Sequence, residues 1–367
     1  MKRKLPYILV IYVTVMMLIF PESSIMYARN AIILCCDIII PSLFPFFVCS
    51  GLLIYSGFSQ SIARLCRPIM KPLFNINGSG ATALVLGIIS GYPLGAVTAC
   101  QLYESGYLSK SETERLLAFC NNSGPLFILG AVGAAIYSSK EIGIILYISH
   151  ILAAITVGLL FRFYAQEKHT APVYSLNQPQ SSFSEVFSRV LSNSLNSILT
   201  VCGAVIFFSV VTNIVAEMIP EDNTIKSFFI GIMELTGGTK SISRTTLDLT
   251  SKLVMSAFVV GFAGLCVHLQ VMAIAQKQGL SLIPYIIGKL LHGTISAFYT
   301  LIYFKLFPPV ETVFQSSEYA LDAGFCMSSI YTAVSVIFLF LLTLLVVIFT
   351  ALAAKRVNLM HKKRDTT

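Results

Sequence analysis

The chain has 367 residues, of which 56% are apolar and only 11% charged. A soluble domain carries about 25% charged residues, so the composition excludes a soluble globular fold and indicates an integral membrane protein. The net charge of +8 is concentrated at Lys2, Arg3 and Lys4 and at Lys355, Arg356, Lys362, Lys363 and Arg364; basic clusters flanking an apolar chain report topology, not nucleic-acid binding.

Apolar segments fall near 5–20, 31–58, 80–103, 113–137, 142–163, 194–216, 226–238, 253–275, 280–307 and 327–354. A full crossing needs about 20 residues. MKRK followed by PYILVIYVTVMMLIF has the make-up of a signal peptide, but no A-x-A site follows, and the segment reads as an uncleaved first span with a short external loop at 21–30. Pro41 and Pro45 interrupt the second segment. The 59–79 loop, with Arg64, Arg67 and Lys71, is expected inside the cell. SGYPLG (90–95) interrupts segment 80–103. In SKSETERLL (109–117), Ser111 and Glu114 have capping-box spacing. NNSGP (121–125) interrupts segment 113–137. The polar 164–190 stretch is the best linker, expected inside, with an amphipathic end at 182–193 predicted to lie on the membrane surface. Segment 226–238 is too short to cross and ends in ELTGG; segment 253–275 carries GFAG. The acidic 309–326 loop is placed outside, and the last span returns the basic tail to the inside.

Three apolar segments lie between the inside loops 59–79 and 164–190. An odd number of crossings cannot return the chain to one side, so one segment is re-entrant, and 80–103 with its central SGYPLG is the choice. Non-helical backbone at that depth survives only against protein or a watery cavity. The halves also share a pattern: Gly91 to Gly106 and Gly264 to Gly279 each bracket a helix with polar positions, and loop charges predict opposite orientations. The expected fold is all-α: a polytopic membrane protein with two inverted repeats of broken or re-entrant helices. Its parts are an N-terminal span and loop (1–30), a first repeat (31–163), a linker (164–190), a second repeat (191–308), and an external loop, last span and basic tail (309–367). Such repeats meet around a transported solute.

Candidate solute-binding positions follow from polar groups at the breaks, each with a structural alternative. Asn121, Asn122, Ser123 and Gly124 precede Pro125, which removes a donor and frees the carbonyl of residue 121; they face a solute or merely cap a kink. Ser90, Gly91 and Tyr92 precede Pro93, where a half-helix N-terminus suits an anion or makes a packing turn. Glu234 is the lone acid of an apolar stretch, either a coupling site or a helix-end residue. His268, Gln270 and His292 line a pathway or make helix contacts. No Lys or Arg is placed among these buried positions. Nine cysteines without a CxxC pair and five histidines without metal-ligand spacing give no metal site and no cofactor. No nucleophile–base pair or phosphate loop appears, so no enzyme is expected.

SGYPLGA with QLYESGYLSKSETERLLAFCNNSGPLFILGAVG resembles the YlbJ family of sporulation integral membrane proteins, also called SpoVV. PSLFPFF (41–47), RPIMKPLFNINGSGA (67–81), IMELTGG (232–238) and GFAGLCVHLQV (261–271) are similar to it too. Both halves resemble the Gate, or nucleoside-recognition, domain of concentrative nucleoside transporters and spore maturation proteins. The resemblance implies carriage of dipicolinic acid from mother cell to forespore across the outer forespore membrane. The lipid bilayer, and a second copy or other sporulation membrane proteins, are the other expected partners. Carriage of a nucleoside or a metal ion, or a non-transporting scaffold, are the alternatives. Dipicolinate is a planar dianion, and a site without a cation would need it chelated to calcium or protonated.

Overall fold

The computed structural model describes residues 5–55, 58–165, 182–217 and 224–307. The expected external loop, last span and basic tail at 309–367, the acidic positions Glu221 and Asp222, and most of the 164–190 linker lie outside the described residues. All regular structure among the described residues is helical.

The chain begins with α1 (Leu5–Ile19) and α2 (Pro21–Leu34), which meet at a 104° bend. The expected loop at 21–30 is therefore helix. Pro21 enters the first turn, where its missing N–H costs nothing, and Glu22 sits at the positive end of the dipole. A π-helical turn (Cys35–Ile39) continues into α3 (Ile40–Tyr55), which carries Pro45 inside it. The strongly amphipathic α4 (Phe58–Phe74) follows. Two short helices, α5 (Gly80–Ser90) and α6 (Leu94–Glu104), fold back on one another. Next come α7 (Lys110–Cys120), a non-helical break at 121–124, a π-helical stretch (Leu126–Ile136) and the long α8 (Lys140–Phe161).

The same order then recurs. After α9 (Phe183–Glu217), α10 (Thr224–Met233) and α11 (Leu235–Ser243) form a second hairpin. α12 (Leu249–Phe262) and α13 (Gly264–Ala275) are a helix broken at Ala263, and α14 (Ile283–Leu306) is the long closing helix. Hairpin, broken helix, long helix thus appears twice. The shared glycine spacing marks α6 and α13, which sit between left-handed glycines (Gly91 and Gly106; Gly264 and Gly279). These two helices occupy different places in the order, the second arm of a hairpin and the second half of a broken helix.

The hairpins close because their arms have no side chains where they touch. A Cβ on Gly87 would lie 3.0 Å from the Cα of Gly95, and one on Gly238 would collide with the Cα of Gly231. Ser227 and Ser241 bond across the second hairpin at 2.8 Å. Each hairpin tip then rests on the break of the helix after it. A Cβ on Gly91 would lie 2.7 Å from the Gly124 nitrogen, and one on Gly264 would lie 3.3 Å from the Cα of Glu234.

Polarity is arranged inside out. Along α14, Tyr285, Lys289, His292, Ser296, Tyr299 and Tyr303 recur at alternating steps of four and three and are buried, whereas Ile283, Ile286, Ile287, Leu290 and Phe298 are exposed. A helix that buries its polar stripe and shows its apolar one suits a lipid surround. Among the described residues, three helical stretches are long and apolar enough to cross a bilayer, Lys140–Phe161, Phe183–Ala216 and Leu249–Gln278, with the bent α1–α2 pair as a fourth. The chain is an all-α polytopic membrane protein.

Two local expectations need correction. The capping box is formed by Ser109 and Glu112, not Ser111 and Glu114: the Glu112 N–H donates to Ser109 Oγ at 3.2 Å and the Ser109 N–H to Glu112 Oε2 at 3.1 Å. The register shifts because the helix begins at Lys110, two residues earlier than the Ser111 box requires. The 182–193 stretch is no separate surface helix; it is continuous with the span at 194–216 in α9, since no glycine or proline interrupts 183–202.

Replacing Gly238 by Val should force the α10–α11 arms apart and lower thermal stability in detergent by about 1–3 kcal/mol, as overpacking does. Gly203→Val, at a site with nothing within 4 Å, should leave the melting temperature within a degree or two of wild type. Equal melting of both variants would refute the glycine contact as the hairpin's closure.

Candidate functional site

The break at 121–124 is the centre of the site. Pro125 has no N–H, so the Asn121 carbonyl lacks its intrahelical donor. The structure supplies one from elsewhere: the Lys289 ammonium on α14 donates to Asn121 O at 3.0 Å. The Ser123 N–H donates to His150 Nε2 on α8 at 3.0 Å, and the Asn122 amide folds back to Phe119 O at 3.0 Å. Asn121, Asn122 and Ser123 are all buried. The break is therefore clamped from both long helices, one from each half.

Lys289 itself is fully buried. Besides Asn121 O, its ammonium donates to Tyr92 Oη at 3.1 Å and to His292 Nδ1 at 3.0 Å, and it lies 5.0 Å from the centre of the Tyr92 ring. The Tyr92 hydroxyl donates its own hydrogen bond to Val260 O on α12, at 2.8 Å. With His292 Nδ1 accepting, the remaining ring proton sits on Nε2 and is donated to His150 O at 2.9 Å. The two histidine rings lie 4.3 Å apart. One ammonium thus ties the first hairpin tip, the first helix break and the second long helix together, through three uncharged partners. The expectation that no Lys or Arg is buried here is overturned. Arg115 on α7 is also buried, but its guanidinium donates to the carbonyls of Asn75, Tyr164 and Ala165 at chain turns away from the break.

The expected positions divide accordingly. Ser90, Gly91, Tyr92, Asn121, Asn122, Ser123, Gly124 and His292 come together. His268 reaches the same region: its ring stands 5.1 Å from that of Tyr285, whose hydroxyl takes the Asn121 amide at 3.5 Å, and its Nδ1 donates to Gly264 O at 2.7 Å. Gln270 does not join them; its amide bonds Cys266 Sγ one turn back on α13. Glu234 is the N-cap of α11, accepting from the N–H groups of Thr236 at 2.7 Å and Gly237 at 2.6 Å. Its charge is used by the positive end of a helix, which is the helix-end reading of this residue. Lys289, His150 and Tyr285 were not read from the sequence as members of the site. The available signal was the pair Lys289 and His292, one turn apart in an otherwise apolar helix.

Several buried polar atoms of this cluster have no protein partner: Ser90 Oγ, Asn121 Oδ1, Asn122 Oδ1, His150 Nδ1 and His268 Nε2. Since His150 Nε2 accepts and His268 Nδ1 donates, the first histidine offers an unused N–H and the second an unused lone pair. Each unpaired buried group costs about 1–3 kcal/mol. Unpaired buried polar atoms also occur on other residues, among them Thr82, Gln101, Ser194 and Thr212; those at the hairpin tip and the helix break are the ones that a polar solute lying between these two features could complete.

Comparison with known proteins agrees with this architecture. The family model described as nucleoside recognition, Gate, matches residues 37–216. The matched region contains the first hairpin, the clamped break and α8, and extends into α9. The sporulation integral membrane protein YlbJ of Bacillus subtilis is 28% identical over 332 residues, covering 80% of this chain and 81% of its own length. No solved structure matches.

Glu234→Ala should remove the cap of α11 and cost about 1 kcal/mol of stability, seen as a lower melting temperature in detergent, while solute binding per folded molecule stays unchanged. Unchanged melting with lost binding would return Glu234 to the solute site.

Proposed function

We propose that this protein is a transporter that moves dipicolinic acid from the mother cell toward the forespore, across the outer forespore membrane. The single observation that carries a transport function is the set of unpartnered buried polar atoms where the Gly91–Tyr92 hairpin tip meets the Asn121–Gly124 break. Buried polar side chains left without a protein partner beside a break in the backbone are explained by a solute that completes them. Repeated hairpins and broken helices supply the usual geometry for alternating access: one half rocks against the other while the site stays near the middle. The choice of dipicolinate is supported by the printed description of the Bacillus subtilis relative as a sporulation integral membrane protein and by the motif resemblance described above. The chemistry is compatible with a half-protonated aromatic diacid, whose carboxylate can accept from the His150 N–H, the Ser90 hydroxyl and Lys289 and whose remaining acid O–H can donate to an Asn amide oxygen. The mechanism needs no bound cofactor.

Purified protein in liposomes should accumulate labelled dipicolinate and not uridine; uptake of uridine alone would leave the nucleoside reading of the Gate domain. Asn121→Ala keeps the backbone carbonyl that Lys289 holds, and Asn122→Ala keeps the break, so both should insert and localise normally. Each should nevertheless cut uptake by roughly tenfold or more, the cost of one buried hydrogen bond lost to the solute. In sporulating cells the same variants should yield spores poor in dipicolinate. Normal spore dipicolinate in both variants would point to a scaffold.

A further inference from the structure

We propose that Lys289 is the residue that makes this site select anions, by supplying the counter-charge for a carboxylate, and that its three-way contact is a latch between α14 and the first hairpin tip. The inference rests on the solute-site reading above and names the chemistry of that site.

The argument begins with what Lys289 does not touch. Its three bonds go to a hydroxyl, a peptide carbonyl and a histidine nitrogen that accepts. No carboxylate among its partners balances the charge. A buried amine bonded only to neutral groups has no counter-ion of its own, so a carboxylate that comes within reach is what would hold it in its charged form, and low-dielectric surroundings screen such a pair weakly. Tyr92 Oη and Asn121 O, both bonded to Lys289, belong to the residues that frame the unpartnered atoms Ser90 Oγ and Asn121 Oδ1. His150, bonded through its carbonyl to His292, presents its unused Nδ1–H. An entering carboxylate can therefore take one bond from Lys289 and one from His150, replacing partners that are neutral with one that is charged.

The same contact explains how occupancy would be felt. Lys289 is on α14, Tyr92 on the first hairpin tip and Asn121 at the first break, and α14 is the closing helix of the second half. The ammonium is a direct polar tie between the two halves at this point. If an anion draws Lys289 away from Tyr92 and Asn121, the tie between α14 and the hairpin is weakened only when solute is present. That is a differential interaction of the kind a ligand needs in order to shift a conformational equilibrium.

The test uses the full-length protein in detergent, read by thermal shift and equilibrium binding. The probes are dipicolinate, isophthalate and benzoate, against the uncharged pyridine-2,6-dicarboxamide. Wild type should be stabilised by the carboxylates and not by the diamide. Lys289→Gln, which is one atom shorter and keeps a donor but loses the charge, should bind carboxylates roughly 10- to 100-fold more weakly, the range expected for a charge-assisted bond. Lys289→Arg, with charge kept and shape changed, should retain a preference for carboxylate over diamide. If wild type binds the diamide as well as dipicolinate, or binds no aromatic carboxylate, the inference is overturned. Because these outcomes are read on wild type, misfolding of a variant cannot mask them. If Lys289→Gln folds and keeps full carboxylate affinity, the inference also fails. Carboxylate binding without any liposome uptake would instead overturn the transport reading and leave the role of Lys289 standing.

Discussion

The bond from the Lys289 ammonium to the Asn121 carbonyl carries the constraint on which this fold turns. Within a bilayer, a peptide group without a partner has no water to turn to. Pro125 creates such a group, and the break around it would unravel or be repaired to helix if no donor came from outside. The donor comes from α14, at the far end of the chain, together with a second clamp from α8 through His150 and the Ser123 N–H. The break persists because two helices from two repeats hold it open, and the site exists only once both halves are in place.

The glycine contacts are the other half of this arrangement. Short apolar helices cannot cross a membrane, and α5, α6, α10 and α11 are each too short to try. They gain stability by turning back on a partner at backbone distance, and they place their tips against breaks rather than against lipid. In each half the tip and the break make one polar spot, and the first spot carries Ser90 Oγ, Asn121 Oδ1 and Asn122 Oδ1 unsatisfied while the second carries His268 Nε2. The second tip is largely self-satisfied by Glu234 as a helix cap. The two copies have therefore diverged in chemistry while keeping order, and the first copy holds most of the solute chemistry, with α14 contributing the charge.

Some of this was legible from the residues. SGYPLG and NNSGP are strings that no continuous apolar helix contains, so the existence and places of the first hairpin and the first break followed from proline and glycine stereochemistry. The freed carbonyl at 121 followed from Pro125 alone. Glu234 was harder: a lone acid in an apolar run reads equally as a binding group and as a cap, and only the positions of the Thr236 and Gly237 N–H groups separate the two. The 21–30 stretch read as a loop because its hydropathy falls, yet Pro21 and Glu22 make a good helix start. Its polarity reflects where the helix lies, not whether it forms.

What the sequence determined by itself is the lipid-compatible composition and the breaks, because these depend on local backbone chemistry and on the water-to-lipid cost of charged groups, whereas the glycine spacing it offered as a repeat matched helices that hold different places in the order. What the tertiary structure decided is which polar residues meet. Lys289 lies 168 positions from Asn121, 197 from Tyr92 and one turn from His292. Period and composition can place it on a buried stripe of α14. They cannot say that the stripe faces a break in the other repeat, because that contact depends on how two sets of helices pack, and packing of distant segments is fixed by shape and polarity summed over the whole interface.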